Sequence, residues 1–230
     1  YYKIKKETNK EIVFSVPTGN FGDAYAGYIA KEKFNIPFKK ILVATNKNDI
    51  LNRFFKSGIY KQKEVSKTLS PSMDIQIASN FERLLYDLYD QNGKDINSFM
   101  NKLKEERSIS VSNEKLQKAR TIFYSSKVTE KETIDTIKEI YKVSGQIIDP
   151  HTAVGIKTAK NYLEQEENCE IITLATAHPV KFTLAVEKAL GKKPALPEKY
   201  ERLFDNDEKY EVFENSFNDI KSFIISHAIR

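Results

Sequence analysis

The sequence predicts an α/β fold, a mostly parallel sheet in three layers with helices on both faces, and three features carry that expectation. Runs rich in apolar and β-branched residues at 11–16, 39–45 and 170–176 have the length and composition of buried strands. Each passes through a turn containing Pro, Gly or Asn into a stretch with apolar residues at helical spacing, and strands joined by one helix run parallel. Of the 230 residues, 40% are hydrophobic, which is enough to build a core on both sides of such a sheet.

In chain order, the first strand runs through Pro17 into the Gly-x-x-Gly turn Gly19-Asn20-Phe21-Gly22. Asp23 follows as the capping or first-turn acid of a helix over 24–34, broken only by Gly27. Asn35-Ile36-Pro37 ends that helix and the second strand follows. The polar turn Asn46-Lys47-Asn48-Asp49 caps a short helix over 50–56, closed by Ser57-Gly58, and 60–69 shows no period. Ser70-Pro71-Ser72-Met73-Asp74 reads as the start of a long amphipathic helix over 75–89, closed by Asn92-Gly93. A second helix over 96–107 turns Phe99, Met100 and Leu103 inward. A short helix and a strand near 121–124 come next. Thr129-Glu130-Lys131-Glu132 is a capping box for a helix ending at Ser144-Gly145, so a helical insertion is expected over about 80–145. Asp149 and Pro150 open a helix to 164, with His151 read as a surface or capping residue. The third strand turns at Ala177-His178-Pro179 into a helix over 180–190, and an amphipathic helix over 213–229 closes the chain.

Composition narrows the function. The net charge of +5 comes from lysines interspersed with nearly as many acids, and no basic stripe carries stacking aromatics, so no nucleic-acid partner is expected. No apolar run approaches the roughly 18 residues of a membrane span, so no membrane partner is expected. No signal-peptide pattern occurs, and Cys169 is the sole cysteine, which fits a reducing cytoplasmic setting. Zinc spacing, a Gly-x-Ser-x-Gly elbow, a P-loop and a full dinucleotide fingerprint are all missing.

What remains is the first strand-to-helix turn. Small residues at a helix N-terminus aim several backbone N–H groups at one spot, where the helix dipole favours negative charge, and this makes an anion cradle suited to phosphate. The same spacing also fits a tight connection that needs glycine only for its backbone angles. The carboxyl ends of the second and third strands bring Asn46, Asn48, Asp49, Thr176 and His178 to the rim where open α/β sheets bind ligands, although turn chemistry explains Asn and Asp there as well.

Five motifs in order, Val16-Pro17-Thr18-Gly19-Asn20-Phe21-Gly22-Asp23, Ala44-Thr45-Asn46-Lys47-Asn48-Asp49, Ser70-Pro71-Ser72-Met73-Asp74, Asp149-Pro150-His151-Thr152-Ala153-Val154 and Ala175-Thr176-Ala177-His178-Pro179-Val180-Lys181-Phe182, resemble threonine synthase across nearly the whole chain. The resemblance implies a pyridoxal 5′-phosphate (PLP) enzyme of fold type II, like the tryptophan synthase β chain. The reaction implied is that of a carbon–oxygen lyase acting on phosphate, which converts O-phospho-L-homoserine and water to L-threonine and phosphate. It implies that Gly19, Asn20, Phe21, Gly22 and Asp23 hold the cofactor phosphate and that the Thr176 hydroxyl faces the pyridine nitrogen. A neutral hydroxyl there does not favour a protonated ring, which tempers the electron sink. Asn46, Asn48, Asp49, His178 and Lys181 are expected on the substrate side.

The family's lysine that bonds the cofactor lies well before the glycine loop, and nothing before residue 12 matches its context. The chain also reaches its first strand by residue 11, leaving too little leader to supply neighbouring strands. The expectation is therefore the carboxyl-terminal part of the large domain, with the amino-terminal half of the same protein missing and the chain alone binding the cofactor poorly and inactive. The alternative is a non-catalytic phosphate-ligand-binding or interaction module derived from the enzyme.

Overall fold

Helices enclose a four-stranded parallel sheet in a computed structural model that describes residues 1–205 and 207–228. The elements run α1 (Tyr2–Lys5), β1 (Glu11–Pro17), α2 (Gly22–Glu32), β2 (Lys40–Thr45), α3 (Ile50–Ser57), β3 (Ile59–Lys61), α4 (Phe81–Leu88), α5 (Gly93–Glu106) and β4 (Ser108–Ser110). There follow α6 (Asn113–Ile122), β5 (Phe123–Lys127), α7 (Glu130–Ser144), α8 (Pro150–Leu163), β6 (Cys169–Thr173), α9 (Thr183–Leu190) and α10 (Phe217–His227). Residues 1–194 form one compact unit; α10 belongs to a second that starts at Ala195. No described helix is long and apolar enough to cross a membrane.

The sheet order is β5-β2-β1-β6, all parallel, so β1 is central and finds both neighbours later in the chain. Among the described residues no strand precedes β1, as the short leader implies, and β6 returns from 169 to flank it. Alternation along β1 and β2 divides the core. Ile12, Val16, Ile41 and Val43 join one cluster with Phe21, Phe54, Phe81 and Phe123, beneath α2, α3, α4 and α6. Val13 and Leu42 face the other way, with Tyr162 of α8. Burial on both faces is what the near-continuous apolar runs require of a parallel sheet.

Helix α8 lies very close to the sheet. A Cβ added at Gly155 would stand 2.8 Å from Thr173 Cγ2 and 3.0 Å from Pro17 Cγ, and the Ser15 hydroxyl donates to the Gly155 carbonyl at 2.7 Å. Glycine there lets α8 settle on the carboxyl ends of β1 and β6.

Several expectations change. The helix expected over 75–89 begins only at Phe81. Upstream, the Asp74 carboxylate accepts from Thr68 and both asparagine amides, and the Ala78 N–H donates to the Tyr60 hydroxyl at 2.7 Å, so 74–80 spends its polar groups on tertiary partners. The aperiodic 60–69 region opens with β3, which pairs antiparallel with β4. The stretch 80–145 is largely helical and also supplies β5, which pairs with β2. The capping box at Thr129 forms as expected. Strand β6 ends at Thr173, and a short 3-10 turn over Pro179–Phe182 precedes α9. The last helix starts at Phe217, capped by Ser216, and the expected end at 229 lies outside the described residues.

Candidate active site at the carboxyl rim of the sheet

The turn from β1 into α2 is held on three sides. Its entry is fixed by the Thr18 N–H, which donates to the Ala44 carbonyl of β2 at 2.8 Å, and by the Thr18 hydroxyl, which donates to Val16 O at 2.6 Å. Behind it lies the Ser70–Met73 turn, so close that a Cβ on Gly19 would come within 2.6 Å of the Ser72 carbonyl oxygen. Laterally, the Asn20 carbonyl accepts from the backbone and side-chain amides of Asn80, both at 3.1 Å. Because the peptide is trans, that latch turns the Phe21 N–H to the opposite side.

Phe21 anchors the turn. Its φ of 65° is left-handed, a conformation that costs a non-glycine residue roughly 1–2 kcal/mol. The ring is 1% exposed and meets Phe81, Phe123 and Phe55 at centroid distances of 5.8, 5.5 and 6.2 Å. Burial of that ring offsets the backbone strain. Gly22 and Asp23 begin α2, and the amides of its first turn have no intrahelical acceptor. Among the described residues, the amides of Gly19 and Asn20 likewise donate to no protein acceptor. The result is a shallow, glycine-floored nest of N–H groups at the positive end of an eleven-residue helix.

Thr176 reaches the same rim. Ser15 pairs with Thr173, and the Leu174 N–H donates to Ser15 O at 2.9 Å, so the two chains leave adjacent parallel strands three residues before Thr18 and Thr176. Adjacent strands lie about 4.8 Å apart. Thr176, His178 and Lys181 are all exposed, and His178 Nδ1 accepts from the Val180 N–H at 3.3 Å, which leaves Nε2 as its outward nitrogen.

The polar residues after β2 lie deeper. Asn46 donates to Thr68 Oγ1, Ser70 Oγ and Asp74 Oδ1 at 2.8, 2.9 and 2.8 Å, and Asn48 donates to Ser66 O and Asp74 Oδ1 at 2.8 and 2.9 Å. Asp49 binds Arg53 at 2.9 Å and Lys127 at 3.3 Å. Burial acts to raise the Asp49 carboxyl, but those two cations hold it below its ordinary value. All three side chains are engaged inside the protein: Asn46 and Asn48 lock the 66–74 loop, and Asp49 ties the start of α3 to Lys127 at the end of β5.

The sequence reading did not foresee the brace behind the cradle. His151, read as a surface or capping residue, is instead 3% exposed. Its Nδ1 faces Asp149 Oδ1 at 2.8 Å, and its Nε2 accepts from the Ser72 N–H at 3.3 Å, so the neutral Nδ1–H tautomer satisfies both contacts. Asp149 also accepts from the Thr152 hydroxyl and the His151 N–H. Burial acts to raise its carboxyl, and these donors hold it below the usual carboxylate value. A carboxylate and an imidazole two residues apart at a helix start were the available signal.

A family model described as threonine synthase, C-terminal, matches residues 152–224. A threonine synthase of Pseudomonas aeruginosa is 42% identical over 96% of the chain and 47% of its own length. A crystal structure of PLP-bound threonine synthase from Brucella melitensis superposes with a TM-score of 0.88 at 36% identity, covering 99% of this chain and 48% of that one. The threonine synthase structure from yeast gives 0.87 at 37% identity, covering 98% and 49%. The chain thus spans about half the length of the relatives it matches.

Proposed function

This chain belongs to the threonine synthase family, and from that premise we propose that it supplies the phosphate-binding part of a PLP-dependent lyase. The reaction is conversion of O-phospho-L-homoserine and water to L-threonine and phosphate. The cradle carries the reading: amides from Gly19 to Asp23 that donate to no acceptor among the described residues, on a turn where Ser72 O leaves no room for a Cβ, suit a phosphate dianion.

In this reading the backbone N–H groups of Gly19, Asn20, Phe21, Gly22 and Asp23 hold the PLP phosphate, and the Thr176 hydroxyl meets the pyridine nitrogen from the adjacent strand. Bound there, PLP draws electrons from the substrate carbons next to the amino group. Thr176, being neutral, would not favour protonation of the ring nitrogen as a carboxylate would. His178 and Lys181, exposed on the turn after β6, take the substrate phosphate or carboxylate. Asn46 and Asn48 serve the substrate side by holding the 66–74 loop in place, and Asp49 does so through its ion pairs with Arg53 and Lys127.

The lysine that bonds PLP comes from outside this chain, in the amino-terminal half of the same protein. An apolar groove of about 500 Å³ supports a covering partner, lined by Phe14, Val16, Ala26, Ala30, Phe38 and Leu174 beside the edge strand β6. Phosphate release from O-phospho-L-homoserine tests the proposal. The chain with PLP is expected to release none, whereas the chain co-expressed with the amino-terminal half of the Pseudomonas aeruginosa enzyme turns over. Turnover by the chain alone contradicts the division of labour. A folded, PLP-loaded but inactive complex favours the non-catalytic module.

A further inference from the structure

We infer that His151 is a positioning residue that holds the anion cradle and the turn after β6 at a fixed spacing. The inference rests on the reading that the cradle takes the PLP phosphate.

Three contacts define its role. Through Nε2 it accepts from the Ser72 N–H, and the carbonyl of that same residue is the wall against which Gly19 is pressed. Its ring meets Phe182 edge-on, with centroids 4.4 Å apart, and Phe182 ends the turn that carries His178 and Lys181. Through Nδ1 it is aimed by Asp149, which the first turn of α8 also binds through Thr152. Helix α8 rests directly on β1 and β6, the strands that deliver the two segments, with Gly155 allowing the contact. One buried imidazole therefore touches the backs of both. The Ser72 N–H would be left unpaired without it, since the Asn46, Asn48 and Asp74 network secures the loop through Ser70 and Thr68 rather than through Ser72. Ser72 is itself exposed, so loss of this acceptor lets its amide turn toward water, and that backbone shift moves the wall behind Gly19.

Two substitutions separate the contacts. His151→Gln can place an acceptor where Nε2 stands; His151→Asn can reach Asp149 but not Ser72. In the 15N-labelled chain without ligand, Asn is expected to shift the amide resonances of Ser72 and Gly19, while Gln leaves those two near their original positions; both variants, lacking the ring that meets Phe182, shift the 176–182 turn. Titration with pyridoxine 5′-phosphate, whose alcohol cannot form an imine with the chain's own lysines, then reads the consequence. Asn is expected to weaken binding about tenfold or more and Gln by less than about threefold. The inference is overturned if Asn binds as the unmodified chain does, or if Gln is as impaired as Asn. Absence of saturable binding by the unmodified chain, with the amide shifts as expected, overturns the phosphate reading and leaves the brace itself demonstrated.

Discussion

Replacing Gly19 with alanine is expected to lower the affinity for pyridoxine 5′-phosphate by about tenfold to a hundredfold while the chain stays folded. The added Cβ would lie 2.6 Å from the Ser72 carbonyl oxygen and 3.3 Å from Met73 Cα, and both are backbone atoms that no side-chain rotation can clear. Either the cradle or its wall must move. Overpacking of this kind costs roughly 1–3 kcal/mol, and a ligand held only by oriented amides loses binding as their directions change. Calorimetric titration measures the affinity, and far-ultraviolet circular dichroism verifies the fold. An alanine variant that binds as tightly as the original chain shows that the wall does not constrain the cradle.

The second large effect falls on stability. Phe21→Ala is expected to cost about 3–5 kcal/mol, because it empties a site among Phe55, Phe81 and Phe123. The alanine would also inherit a φ of 65°, which glycine tolerates without penalty. Phe21→Gly should therefore be the more stable of the two variants by about 1 kcal/mol, reversing the usual order of alanine and glycine. Urea unfolding of the three proteins measures both differences. An alanine variant that loses less than about 1 kcal/mol denies the ring its anchoring role; alanine above glycine denies the backbone strain.

The parts of this molecule that were legible in the sequence are those governed by local pattern. β1, β2 and β6 showed as apolar runs because a parallel strand is covered on both faces, and α7 was marked by a capping box whose two hydrogen bonds are local. Strand β5 was faint because Phe123-Tyr124-Ser125-Ser126-Lys127 carries polar residues that bond inward, as the Ser125 hydroxyl does to Val43 O at 2.9 Å. Helix α4 was overextended because Ile75 and Ile77 mimic the helical stripe while Asp74 and Ala78 bond to Asn46, Asn48 and Tyr60, far back in the sequence.

The site divided in the same way. The glycine turn advertises its amides locally, whereas the wall at Ser72, the Asn80 latch and the buried Asp149–His151 pair depend on contacts across 53 to 79 positions or on burial that no spacing reveals. The asparagines after β2 look alike in sequence whether they face a ligand or a loop. Only their partners in the 66–74 loop distinguish the two.

The most direct examination of the account is amide mapping of the 15N-labelled chain as pyridoxine 5′-phosphate is added. If one ligand spans both segments, the largest saturable shifts fall on Gly19 to Asp23 and on Thr176 and Ala177, with a common dissociation constant. Shifts confined to one of these segments, or centred on the lysine-rich loops elsewhere, would contradict it.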